Sequence, residues 1–409
     1  MNPPVNPRRA LPVVLLTVFL DLLGVGILIP VIPQLFANPH SAEYLLSPTT
    51  TLRTGYIILG LLSGLYPLML FLAAPILGQL SDRYGRRPLL AFSIFGTAFS
   101  YLVFALGLYL RNIPILFLAR ALDGLTAGNI AIAQAIIADV TPPQDRAKNF
   151  GLIGAAFGVG FVVGPFLGGV LADPTVVSWF SSAIPFLFAA ILSVINGILV
   201  LTLIPETRGI LDATRRIQWT KSVSNILRAA RLPELRTVFV TNFFFQAGFT
   251  FFTTFFAVHL VTRFGFNQSS VGNFFAYVGI WIAFTQAVVT RAVSRRIPEA
   301  KVLPISMIAC GVILLLLPVP NVLWMLLVLI PFFALATGLT QANTTALVSR
   351  RAGPEVQGEV LGINSSVQGL AMSIAPILSG FIAATTGPSD PILMGGLLVL
   401  AAGFFFLFS

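Results

Sequence analysis

The chain has 409 residues, of which 56% are hydrophobic and 9% charged, with a mean hydropathy of +0.93. Soluble domains carry about a quarter charged residues, so this composition argues against a soluble enzyme and for a membrane protein. Cys310, the single cysteine, excludes an intrachain disulfide, no metal-ligand cluster is visible, and the net charge of +10 raises a nucleic-acid role that the placement of the charges must decide.

Read in chain order, apolar stretches of about 20 residues, the length that crosses a bilayer, alternate with short polar breaks. They are Leu11–Phe36, Gly55–Leu80, Leu89–Leu110, Ile113–Val140, Ala147–Leu171, Phe180–Ile204, Leu235–Val261, Val271–Val293, Val302–Leu317, Val322–Val348, Val360–Ala384 and Pro391–Phe408. The predicted fold class is therefore an all-α membrane protein with twelve transmembrane helices. The first stretch, which holds Asp21 and Pro30 and lacks a small-residue cleavage pattern, reads as a span and not as a signal peptide.

Lys and Arg accumulate on the cytoplasmic side of membrane proteins. With both termini cytoplasmic, twenty of the 24 basic residues fall inside, three (Arg53, Arg111 and Arg263) fall outside, and Arg120 lies within a span. The positive charge is thus largely topological, and no nucleic-acid partner is expected.

Half a chain length separates two related segments. Pro143, Gly151, Pro165 and Gly169 recur as Pro354, Gly362, Pro376 and Gly380 at a constant offset of 211 residues. Two six-helix parallel repeats follow, with a bundle over 1–205, a cytoplasmic linker over 206–233 and a second bundle over 234–409. The linker, with Asp212, Trp219 and several arginines, reads as an amphipathic piece along the cytoplasmic surface.

Several motifs carry a resemblance. Gly78–Leu90, GQLSDRYGRRPLL, resembles the cytoplasmic loop signature of the major facilitator superfamily, and Phe117–Gly128, FLARALDGLTAG, resembles its fourth-helix motif. GVGFVVGPFLGG, ending at Gly169, resembles the fifth-helix motif of proton-driven exporters, and Asp21–Pro33, DLLGVGILIPVIP, is similar to the first helix of tetracycline and related drug–proton antiporters. The resemblance implies the major facilitator fold and alternating access driven by the proton gradient, with no cofactor.

The loop signature supplies candidate latch residues: Gly78, Asp82, Arg83, Gly85, Arg86, Arg87 and, at the end of the fourth span, Asp139. The resemblance implies that Asp82 faces the start of the eleventh helix and that Arg86 pairs with Asp139. In the second half Ser294 stands where the acid should be, so the latch is one-sided. On the fifth span Gly160, Gly164, Pro165, Gly168 and Gly169 suit close helix packing, a hinge, or both.

Charges at bilayer depth are costly and mark function. Arg120 and Asp123, three residues apart, share a helix face and can neutralise each other, whereas Asp21 has no partner on its own helix. Asp21 is the expected proton carrier, with an ion pair to Arg120 as the rival arrangement. Asn129, Gln134, Asn242, Gln246, Gln341, Asn343, Asn364 and Gln368 are expected to line a substrate cavity, with Phe249 as the apolar wall among the many phenylalanines of the seventh span.

Tetracycline antiporters carry acids in the third and ninth helices, where this chain has Ser100 and, over Val302–Leu317, none. A lipophilic, neutral or weakly cationic substrate fits better than a metal–tetracycline chelate. The expectation is a monomeric, multi-pass proton-coupled exporter in a bacterial cytoplasmic membrane. Its partners are a small-molecule substrate, protons and the lipid bilayer, with a sugar or metabolite facilitator as the alternative and an enzyme or receptor disfavoured for want of a catalytic constellation or soluble domain.

Overall fold

The computed structural model describes residues 7–141, 146–207 and 217–408. The elements are α1 (Pro7–Phe36), α2 (Leu52–Tyr84), α3 (Arg86–Tyr109), α4 (Ile113–Thr126), α5 (Asn129–Val140), α6 (Arg146–Ala172), α7 (Ile184–Leu203), α8 (Lys221–Arg231), α9 (Pro233–Phe264), α10 (Gln268–Phe284), α11 (Thr290–Ser294), α12 (Glu299–Leu316), α13 (Leu323–Thr385) and α14 (Asp390–Leu407). Among the described residues, eleven helical segments are long and apolar enough to cross a membrane, and Gly158–Ala172 within α6 is a shorter apolar helix.

Three boundaries differ from the sequence reading. The fourth span is broken: α4 stops at Thr126 and α5 starts at Asn129, because Ala127 leaves helical geometry (ψ 53°) and the Thr126 hydroxyl turns back onto the carbonyls of Leu122 and Asp123. A five-residue π-helical turn, Thr285–Val289, joins α10 to α11 within the eighth span. The tenth and eleventh spans, Leu323–Arg351 and Val360–Thr385, are continuously helical in α13. Leu327 accepts a hydrogen bond from Tyr277 near one end of α13, and Gly380 packs against Gly60 near its other end. Both ends thus lie on the side away from the basic loops, and the helical chain turns back between the two spans.

Interior packing follows the two halves. One apolar core is built mainly from α9, α10, α12, α13 and α14, and two others mainly from α1, α2, α3, α5 and α7. The linker helix α8 bridges the halves: Ser222 donates to the Phe71 carbonyl at 2.5 Å and Asn225 donates to Ser366 at 3.0 Å. Asp212 and the other linker residues over 208–216, as well as Pro143, lie outside the described residues.

The halves meet closely at one end and part at the other. Along α2 and α13, a Cβ added at Gly60 would stand 2.5 Å from the Pro376 carbonyl oxygen, and one at Gly64 2.7 Å from Ile377. Further down, one at Gly369 would stand 3.5 Å from Phe71, and those at Gly78 and Gly362 would meet no described atom within 4 Å. Between α6 and α10 the distances likewise grow, from 2.4 Å at Gly272 through 2.7 Å at Gly279 to 3.5 Å at Gly158. Among the described residues, the halves therefore pack more closely at the end remote from the basic loops than toward the basic end.

The closely packed end is also bonded. Asn267 donates to Asp173 at 2.8 Å, Gln34 donates to the Phe266 carbonyl at 2.9 Å, and Tyr56 meets Phe255 edge-on at 6.0 Å. Each of these contacts joins the first half to the second.

Candidate functional site

Asp21 is the one acid of the 30-residue, largely apolar helix α1, and it is 8% exposed. The break between α4 and α5 sets Asn129, the first residue of α5, against it: Asn129 Nδ2 donates to Asp21 Oδ1 at 2.9 Å. No ion pair joins Asp21 to Arg120 among the described residues. Arg120 donates instead to Asp123 at 3.1 Å and covers the Tyr66 ring at 4.5 Å, so its charge is met by a carboxylate and an aromatic face. These three are the only charged residues at mid-span depth among the described helices, and all belong to the first half.

A small polar pocket adjoins Asp21. Thr17, Leu20, Asp21, Ile94, Thr97, Asn129, Ser193 and Asn196 line a partly open cavity of about 10 Å³. Asn196 donates to Thr17 at 3.0 Å across α7 and α1. Thr17, Thr97, Ser193 and Asn196 escaped the sequence reading because isolated small polar residues in an apolar helix look like packing. The pocket lies within the first half and is far too small for a drug-sized molecule.

The polar residues of the second half are placed as follows. Asn242 donates to Asn364 at 2.7 Å, joining α9 to α13 in a buried pair. Asn343 is buried and donates to the Leu339 carbonyl of its own helix. Gln341 accepts from Gln286 at 3.4 Å at the π-helical turn, a partner the sequence reading missed. Gln246, Gln341 and Gln368 are half-buried, and Gln134 of α5 is exposed. Phe249 is half-buried, stacked on Phe333 at 6.4 Å and on Phe245, whereas Phe245, Phe251, Phe252, Phe255 and Phe256 are buried in the cores.

At the basic end, Gly85 adopts φ 106°, open only to glycine at low cost, and joins α2 to α3 without a spacer. Arg86 pairs with Asp82 at 2.7 Å and with Asp139 at 3.3 Å, and donates to the Ser81 hydroxyl. Arg87 donates to the Leu201 carbonyl, and Arg83 lies over the Tyr84 ring. The acid that meets the α3 N-terminus is Glu206. Its carboxylate accepts from the backbone amides of Arg86 and Arg87 at 2.8 and 3.2 Å, where the α3 dipole favours negative charge. Residues 352–359, at the start of the eleventh span, and Ser294 have no described side chains.

The small residues of α6 serve two neighbours. A Cβ at Gly160, Gly164 or Gly168 would collide with Leu22, Leu23 or Ile27 of α1 within 2.7–2.8 Å. Gly169 faces Gly272 of the other half, and the Pro165 carbonyl lies beside Gly272 as well.

Residues 14–376 match the family model described as Major Facilitator Superfamily. The chain belongs to the major facilitator superfamily. The tetracycline resistance protein, class H, of Pasteurella multocida is 32% identical over 390 residues, covering 92% of this chain and 89% of that protein. Multidrug resistance protein 2 of Bacillus subtilis (strain 168) is 25% identical, covering 93% and 91%. Among solved structures, the human organic anion transporter MFSD10 (TETRAN) superposes with a TM-score of 0.74 at 23% identity, covering 99% of this chain and 100% of that one. The fold is thus the major facilitator fold with two six-helix repeats, and the protein is a multi-pass membrane transporter and not an enzyme.

Proposed function

We propose that this superfamily member exports small, apolar, drug-like compounds across a bacterial cytoplasmic membrane in exchange for protons. The observation that carries the reading is Asp21: a buried carboxylate, held by the Asn129 amide, with Arg120 committed to Asp123. A charge left without a counter-ion at that depth is costly, and uptake of a proton relieves the cost. The named relatives are resistance proteins for tetracycline and for multiple drugs, which supports efflux as the direction.

The basic end is cytoplasmic on the positive-inside principle, so the conformation is inward-open. In this reading residues 1–205 and 234–409 are the bundles that rock against each other, and 206–233 is the cytoplasmic linker. Asp21, Arg120 and Asp123 form the proton-coupling group. Gln246, Phe249, Gln341 and Gln368, with Asn129, Gln134, Asn242, Asn343 and Asn364, line or brace the substrate path. The Gly78–Arg87 loop with Asp139 closes the cytoplasmic side in the opposite state, and Gly160, Gly164, Pro165, Gly168 and Gly169 maintain the α6 contacts. The protein acts as a monomer.

The test is transport in proteoliposomes with an imposed pH gradient, using ethidium as a lipophilic cation and magnesium–tetracycline as the chelate. Wild type should drive net ethidium export only with the gradient, and Asp21→Asn should abolish that gradient dependence while binding persists. Gradient-driven flux through Asp21→Asn at the wild-type rate would refute proton coupling through this residue.

A further inference from the structure

The two halves treat matching polar positions in opposite ways. Counted from the first residue of each helix, Ser93 and Thr97 of α3 stand where Ser306 and Cys310 stand on α12. The 211-residue repeat likewise sets Thr126 and Asn129 against Thr337 and Thr340. In the second half these groups satisfy one another: Thr340 donates to Ser306 at 2.9 Å, and Cys310 meets Thr337 at 3.4 Å. In the first half they do not. Among the described residues, Ser93 Oγ and Asn129 Oδ1 are buried with no hydrogen-bond partner, and the buried Thr97 hydroxyl has only the Asp123 carboxylate beside it. Asn129 and Thr97 are 2% and 3% exposed and line the pocket beside Asp21.

Buried polar groups are paired by protein or by water, and a space of about 10–15 Å³ holds one water when it offers two to four polar partners. This pocket has the size of one water and that chemistry. Asp21 and Asn129 Oδ1 accept hydrogen bonds, and the Thr97 and Ser193 hydroxyls can donate them. We propose that the pocket between α1, α3, α5 and α7 binds one ordered water molecule, which donates to Asp21 and Asn129 and accepts from Thr97 and Ser193. The water solvates the ionised carboxylate inside the first half. Thr97 and Ser193 are positioning residues acting through it.

The titratable and charged groups facing Asp21 are Tyr66 of α2, Tyr101 of α3, and Arg120 and Asp123 of α4; α5, α6 and α7 bring none to this depth. The functional part of the proposal rests on proton coupling through Asp21, whereas occupancy by water stands apart from it.

Two measurements decide it. A wild-type structure at about 2 Å or better should show one water within hydrogen-bonding distance of Asp21 and Asn129; an unoccupied pocket at that resolution overturns the site. In proteoliposomes, Ser193→Val fills the pocket and Thr97→Val removes a hydroxyl at nearly constant volume. Each should slow pH-gradient-driven ethidium efflux at least tenfold while leaving ethidium exchange at equal pH within twofold, and Thr97→Ser should restore the driven rate. Driven efflux within twofold of wild type in both valine variants, with Asp21→Asn inactive, overturns the water's role and leaves proton coupling standing. Driven efflux persisting in Asp21→Asn removes the coupling reading itself, and the water density is then judged alone.

Discussion

Placing a valine at Gly60 tests whether the crossing of α2 and α13 sets the conformation. Its Cβ would lie 2.5 Å from the Pro376 carbonyl oxygen and 2.8 Å from the Gly380 Cα, where ordinary contacts are about 3.5–4.0 Å. Both obstacles are backbone, so the helices must separate by about 1 Å. Overpacking of this kind costs about 1–3 kcal/mol. The cost falls on the state in which this end is closed, so the ratio of inward-open to outward-open molecules should fall by about 5- to 150-fold. Gly78→Val is the contrasting variant, because its Cβ meets no described atom in the present state and any clash belongs to the opposite one. Spin labels on exposed Thr49 and Val319 report the closed end, and labels on exposed Thr202 and Ile297 report the basic end. Gly60→Val should lengthen the first distance and shorten the second, and Gly78→Val should not. Unchanged distances in Gly60→Val, or the same displacement in both variants, would show that the glycine crossing does not govern the equilibrium.

Three further outcomes follow from individual contacts. Asp173→Ala removes the carboxylate that Asn267 reaches across the closed end, and the same spin-label distances should move toward opening by an equilibrium change of about 1.5–3 kcal/mol or less, given partial exposure. Glu206→Ala strips the N-terminal cap of α3 and should cost about 0.5–2 kcal/mol, seen as a lower Tm in detergent; an unchanged Tm would deny the cap any weight. Asn242→Leu leaves the Asn364 amide without its buried partner and should cost about 1–3 kcal/mol, whereas Asn242→Leu with Asn364→Leu should be less damaging than the sum of the two single changes. Additive losses in that cycle would mean that the two amides act independently.

What the sequence made legible was whatever leaves a trace in hydropathy or in charge. Twelve spans are visible because each must be apolar over a bilayer's thickness, and Asp21, Arg120 and Asp123 stand out because a charge there is rare. The Arg120–Asp123 pairing follows from helical spacing alone. The partner of Asp21 was hidden for a specific reason: Leu125, Ala127 and Ile130 keep the fourth span apolar across its break, so nothing in the pattern marks Asn129 as the start of a new helix. Glu206 was hidden by its place beyond a span, in what reads as linker, although its work is done on α3. Gln286 was hidden because a π-helical turn rotates a side chain away from the face that regular helical spacing assigns to it. Asp82 was singled out by the motif, and in the folded chain it pairs with the Arg86 guanidinium; the start of the eleventh span, which the motif implies it faces, lies outside the described side chains.

The confinement of mid-span charge to one half has an electrical consequence. A potential of 100 mV does about 2.3 kcal/mol of work on each elementary charge that crosses the full field. Arg120 and Asp123 form a neutral pair, and among the described residues the second half carries no charged side chain at that depth. On the proposed reading, the voltage would act on the mid-span side chains of the described residues through Asp21, while that carboxyl is ionised. In the proposed proton-coupled cycle, the first half would sense both the chemical and the electrical components of the proton gradient, and the second would follow it as a counterweight without mid-span charge.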